Sequence, residues 1–133
     1  MKFNPQLKNE IQKFYDYAIV VEGKKDVFAM QELGFKNVYA IHEIGVPIKE
    51  RVLKLSEEIG RKQKICILTD FDKKGKTLYF SLKTLFAEQG MKLDSTLRGL
   101  LLVGGLSHVE GIGRFINTAE GRQHAKKKHW ERR

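Results

Sequence analysis

The chain has 133 residues, enough for one hydrophobic core, and no apolar run approaches the ~20 residues that a membrane-spanning helix needs. Lys and Arg total 25 against 16 Asp and Glu, a net charge of +9, which points to a polyanionic partner, nucleic acid above all. The single cysteine, Cys66, excludes an internal disulfide and any multi-thiolate metal site.

The expectation is one domain over 1–133, and with no apolar stretch after Pro5 there is no sign of a signal peptide or anchor, so no membrane is expected and the cytoplasm is the expected location. Asn4-Pro5 is a helix-start signal, and Leu7, Ile11 and Phe14 share one face of a leading helix over about 5–16. Tyr17 to Val21 is an uninterrupted apolar run, read as a buried strand, that ends at Glu22-Gly23. Lys25 to Leu33 follows as a helix closed by Gly34, with Val27, Phe28, Met30 and Leu33 expected inward. Asn37 to Ile41 is the second strand. Pro47 then opens a helix on which Ile48, Val52, Leu55 and Ile59 recur at helical spacing up to Gly60.

Lys64 to Thr69 is another buried strand, with Cys66 read as a small core hydrophobe, and it ends in Asp70-Phe71-Asp72. Lys76 to Gln89 reads as a helix with Leu78, Leu82, Leu85 and Phe86 inward, stopped by Gly90. Beyond it, Met91 to Leu93 is expected to be a short strand, Leu97 to Val103 a short helix, and Leu106 to Val109 a last strand. Strand, loop and helix alternate three times, the doubly wound α/β pattern. A basic tail over about 120–133 holds Lys126, Lys127, Lys128 and Trp130. It reads either as a solvated end or as a phosphate-binding arm with an aromatic ring for an unpaired base.

If the strands ending at Glu22 and Asp70 are parallel neighbours, Glu22, Asp70 and Asp72 meet in one crevice where such sheets bind ligands. Three close carboxylates repel unless a hard cation such as Mg2+ neutralises them. Lys24, Lys25, Lys73, Lys74 and Lys76 flank the two acidic loops and would contact phosphates on either side. Gly75-Lys76-Thr77 imitates a phosphate-binding loop, but the position five residues before Gly75 is Asp70 rather than glycine, and its charge would repel phosphate. Asp26 is read as structural, a helix-start acid. His42, His108, His124 and His129 form no compact ligand pair, so no zinc site is expected.

Val21-Glu22-Gly23 followed by Thr69-Asp70-Phe71-Asp72-Lys73-Lys74-Gly75 resembles the signature of the Toprim family, a strand-terminal Glu paired with a strand-terminal Asp-x-Asp. The resemblance covers roughly 18–103. It implies a Rossmann-like fold with a mostly parallel sheet and helices on both faces. It also implies Mg2+ or Mn2+ held by Asp70 and Asp72, with Glu22 as a further ligand or as general acid/base. The small stand-alone members are the most similar, including nucleases that mature 5S ribosomal RNA, and His108-Val109-Glu110-Gly111 resembles a Val-Glu stretch near the end of their domain. The implied activity is endonucleolytic hydrolysis of structured RNA or DNA; topoisomerase and primase action would need further domains. The alternative is a non-catalytic nucleic-acid-binding subunit of a larger processing or primase-like complex. A protein partner or a second copy of the chain stays open.

Overall fold

The computed structural model describes residues 6–116. Asn4, Pro5 and the tail residues Lys126, Lys127, Lys128 and Trp130 lie outside that range. Four strands form a sheet of order β2-β1-β3-β4, with β1 Ala18–Val21, β2 Asn37–Ala40, β3 Lys64–Leu68 and β4 Lys92–Leu93. Every pairing is parallel: Val21 lies opposite Ala40 on one side and Leu68 on the other, and Ile65 opposite Leu93. All four residues of β1, and Ile65 to Leu68 of β3, are buried, because both faces of these two strands are covered.

The helices divide between the faces. Helix α1 (Leu7–Ile11), α2 (Lys24–Glu32) and α5 (Thr96–Gly104) share a core with Ile19, Val21, Cys66 and Leu68. Helix α3 (Ile48–Ile59) and α4 (Lys73–Glu88) pack on Ala18, Val20, Ile65 and Ile67 through Val52, Leu55, Leu82 and Phe86. Each such fully buried aliphatic or aromatic side chain contributes about 1.5–3 kcal/mol relative to exposure. Helix α3 stops where Gly60 turns to φ 85°, a conformation that glycine adopts without steric penalty.

The architecture is the α/β fold with a parallel sheet and helices on both faces that the alternation of elements predicts. Four local expectations are corrected. The leading helix is α-helical only over Leu7–Ile11 and tightens into a 3₁₀ turn over Gln12–Phe14. Phe28 points away from the core and is 63% exposed, because it sits about 200° around α2 from buried Met30. Helix α4 begins at Lys73 rather than Lys76, since Asp72 caps it. Leu106 to Val109 is not a strand: the segment docks on Asp70 and Phe71, just past β3, by two hydrogen bonds, one of them to a side chain, and passes into a 3₁₀ turn at Val109–Gly111.

Candidate metal centre

From β1 the chain winds to β2 over one face of the sheet, and from β3 to β4 over the other. The carboxyl ends of β1 and β3 therefore diverge, leaving a crevice at the switch point. Glu22 and Asp70-Phe71-Asp72 lie there. The β1–β2 ladder continues one step past β1, with His42 N–H donating to Glu22 O at 3.1 Å, which fixes the Glu22 backbone.

Each of the three carboxylates is aimed by a backbone amide. Glu22 Oε2 accepts from Asp70 N–H at 2.8 Å, Asp70 Oδ1 from Val109 N–H at 2.8 Å, and Asp72 Oδ1 from Gly75 N–H at 2.7 Å. The last bond is the N-cap of α4, and it turns one oxygen of Asp72 into the helix while leaving the other for a ligand. The buried Thr69 hydroxyl donates to Gly75 O at 2.6 Å, closing the loop onto the first turn of α4. A Cβ on Gly75 would run into the Asp70 carbonyl, so only glycine permits this closure.

The docked segment completes the site. Phe71 N–H donates to Ser107 O at 2.9 Å, and with the Asp70–Val109 bond this holds His108 between two anchors. His108 Nε2 then lies 3.6 Å from Asp72 Oδ2. One ligand atom each from Asp70, Asp72 and His108 falls within 4.8 Å of the other two. Two carboxylates and an imidazole, with the acids preoriented by amides, can hold a divalent cation. Glu22 stands outside that trio and joins it through the Asp70 amide.

Two buried groups support the two acidic loops, Asp26 the one after β1 and Arg98 the one after β3. Asp26 is 9% exposed and accepts from Gly23 N–H at 3.1 Å. Burial pushes its pKa up, and the charges of Asp70, Glu22 and Glu110 push in the same direction, while the Gly23 amide opposes them. Arg98, on α5, is 7% exposed and donates to the carbonyls of Thr69 and Asp70 at 2.7 and 3.3 Å. Its guanidinium stacks between Phe71 and Tyr79, 4.5 and 4.2 Å from the ring centroids, and burial lowers its pKa. A planar cation clamped between two rings thus sets the backbone that presents the acids.

Lys24 and Lys25 are exposed in the first turn of α2, and Lys73, Lys74 and Lys76 are exposed at the start of α4, the two helices that leave the acidic loops. Gly75-Lys76-Thr77 lies within α4 itself and Thr77 Oγ1 donates back to Lys73 O, so no phosphate-wrapping loop forms. Cys66 is fully buried, its thiol pushed up to about 12 by desolvation, and is inert packing. Arg98 is the site residue that sequence reasoning passes over; His108 enters it only within the Val-Glu stretch of the resemblance, with no metal role foreseen. The signal for Arg98 was a lone cation inside the apolar run 97–103.

Among the described residues no helix is long and apolar enough to cross a membrane. In comparisons with known proteins, a model of the Toprim domain matches residues 16–96. A UPF0292 protein of Methanocaldococcus jannaschii is 27% identical over 104 residues, covering 74% of this chain and 77% of that protein. One from Pyrococcus abyssi is 30% identical over 103 residues, covering 77% and 74%. One from Methanosarcina barkeri is 32% identical over 85 residues, which span 62% of this chain and 55% of its own. Among solved structures, a putative protein from Aquifex aeolicus is similar with a TM-score of 0.66 at 27% identity, covering 79% of this chain and 94% of that one. The domain match spans more than half of the 133 residues and contains Glu22, Asp70 and Asp72, and the chain belongs to the Toprim domain family.

Proposed function

We propose that the protein is a divalent-metal-dependent phosphodiesterase that cuts structured RNA or DNA internally, using Mg2+ or Mn2+. The observation that carries this reading is the convergence of Asp70, Asp72 and His108 ligand atoms within 4.8 Å, beside Glu22, at the switch point of a Toprim sheet. Asp70, Asp72 and His108 would hold the ion. When bound, it would offset charge on the phosphate and acidify a nearby water. Glu22 keeps one oxygen on the Asp70 amide and lies outside the convergent trio, so it would serve as proton acceptor or donor beside the ion. Lys24, Lys25, Lys73, Lys74 and Lys76 would grip phosphates on both sides of the scissile bond. The finer reading, from the sequence resemblance, is a ribonuclease similar to those that mature 5S ribosomal RNA.

The test is a cleavage assay of the full chain over structured and single-stranded RNA and DNA, a 5S precursor included, with Mn2+, Mg2+ or EDTA. Cleavage is expected with metal and not in EDTA. Asp70→Asn and Asp72→Asn should each lose roughly a hundredfold or more while remaining folded. Glu22→Gln should lose roughly 10²–10⁴-fold in turnover at unchanged metal affinity. Tight binding of substrate without cleavage under any metal would overturn the enzyme and leave a non-catalytic nucleic-acid-binding subunit.

A further inference from the structure

Beside the metal centre, between α4 and α5, the surface opens into a cavity of about 280 Å³. Phe71, Tyr79, Phe80 and Leu102 form its apolar lining, and Lys76 and Arg98 its charged one. Phe80 is 63% exposed and Leu102 49%, so apolar side chains stand uncovered at this cavity. The Tyr79 ring meets Phe80 edge-on at 5.4 Å, so the exposed ring has one aromatic neighbour and an open face.

Gly99 also lines this cavity, in the interior of α5. A glycine there weakens the helix relative to alanine. Yet a Cβ at Gly99 would meet nothing within 4 Å, so no close neighbour among the described residues requires its absence. The space in front of Gly99 is open volume that a side chain would close off, as expected if a ligand lies there.

The position of the cavity says what kind of ligand. Asp72 caps α4, and Lys76 and Phe80 follow one and two turns later on the same helix. At 1.5 Å per residue, Phe80 is about 12 Å along the axis from the metal-side cap, within reach of a nucleotide or two of a strand whose phosphate sits at the acids. The space is too small for a helix or a folded partner and suits one planar ring system. A basic side chain at its rim and a basic chain of net charge +9 favour a polyanion over a neutral partner.

We propose that this cavity is a stacking subsite for one unpaired base of the nucleic acid, with Phe80 as the platform and Lys76 on the adjoining phosphate. The proposal deepens the phosphodiesterase reading and rests on it: the substrate class becomes nucleic acid that is unpaired beside the bond to be cut. The base would also rest near Arg98, the same guanidinium that holds the Thr69 and Asp70 carbonyls.

The test measures binding in EDTA, so that no cleavage enters, using full chain and oligonucleotides that carry 2-aminopurine within a single-stranded run, as RNA and as DNA. The same sequences made fully duplex serve as the comparison. The probe should be quenched on binding. Phe80→Ala should abolish the quench and weaken single-strand affinity roughly ten- to a hundredfold, with duplex affinity unchanged, and Phe80→Trp should restore both. Gly99→Leu should melt no lower than the parent yet lose the quench as Phe80→Ala does. Unchanged single-strand affinity in Phe80→Ala and Gly99→Leu would overturn the subsite, as would equal losses for duplex and single strand. A concentration-dependent dimer dissolved by Phe80→Ala would overturn it too, reassigning the face to a second copy of the chain. Failure of the enzyme reading looks different: quench and affinity persist, and no metal supports cleavage.

Discussion

Each acid in the crevice is governed by the group that takes its first oxygen. Glu22, Asp70 and Asp72 each give one oxygen to an amide, whereas Asp26 is buried behind them with its charge opposed by desolvation and by Asp70, Glu22 and Glu110. Because the folded pKa of Asp26 is raised, the folded state binds its proton more tightly than the unfolded chain. Its stabilising contribution is therefore complete below the ordinary carboxylate pKa and is lost as pH rises through the raised value. Asp26→Asn keeps an acceptor for Gly23 N–H and removes the buried charge, so its melting temperature in EDTA should exceed the parent's at neutral pH. The gain should disappear as the pH falls below the raised pKa; a gain that persists in acid would refute this assignment. At this scale Glu22, Asp70 and Asp72 were legible, because acids that end buried apolar runs are conspicuous. His108 was legible only as part of the Val-Glu resemblance and not as a ligand, since no other ligand lies near it in sequence and only the docking of 107–109 on Asp70 and Phe71 brings it to Asp72.

The metal loop is held between two helices rather than by its own strand alone. Asp72 and Gly75 fasten it to α4, and Arg98 fastens it to α5 through the Thr69 and Asp70 carbonyls. Arg98→Met retains much of the volume but leaves those carbonyls without their donor, and an unpaired buried group costs roughly 1–3 kcal/mol. Losing the stacking on Phe71 and Tyr79 adds about 0.5–2 kcal/mol. Urea denaturation should show a loss of about 2–4 kcal/mol together with weaker Mn2+ binding. Arg98→Lys should not rescue it, because an ammonium cannot reproduce the planar fork between two rings. Stability and Mn2+ affinity equal to the parent would show that α5 does not set the loop. Helices α3 and α4 were legible from apolar spacing, and β1 and β3 from their unbroken apolar runs. Leu106 to Val109 misled because a short apolar segment reads alike whether its amides bond a strand or, as here at Val109, a carboxylate.

Across the whole molecule, a chain of net charge +9 carries exposed lysines on the two helices that leave the acidic loops, and the proposed function takes that charge as the attraction for a polyanion. If residues 126–133 also grip phosphates, deleting them should make the slope of log affinity against log salt shallower by about 0.7–0.9 for each phosphate no longer neutralised, with cleavage at saturation retained. Superimposable slopes would assign the grip to Lys24, Lys25, Lys73, Lys74 and Lys76. The doubly wound plan was legible because three strand–helix repeats admit few right-handed arrangements, and it brought β1 and β3 together as the acids required. What no local pattern contained was the return of 98–109 across the site, a tertiary event that supplies an arginine, an imidazole and an amide at once. The central claim is that Asp70, Asp72 and His108 hold a divalent ion, and electron paramagnetic resonance of Mn2+ titrated into the full chain tests it most directly. Saturable Mn2+ binding is predicted, with a ¹⁴N coupling that vanishes in His108→Ala and an affinity roughly ten- to a hundredfold lower in Asp70→Asn and Asp72→Asn. Mn2+ bound equally well by both Asn variants, with the nitrogen coupling unchanged in His108→Ala, would contradict it.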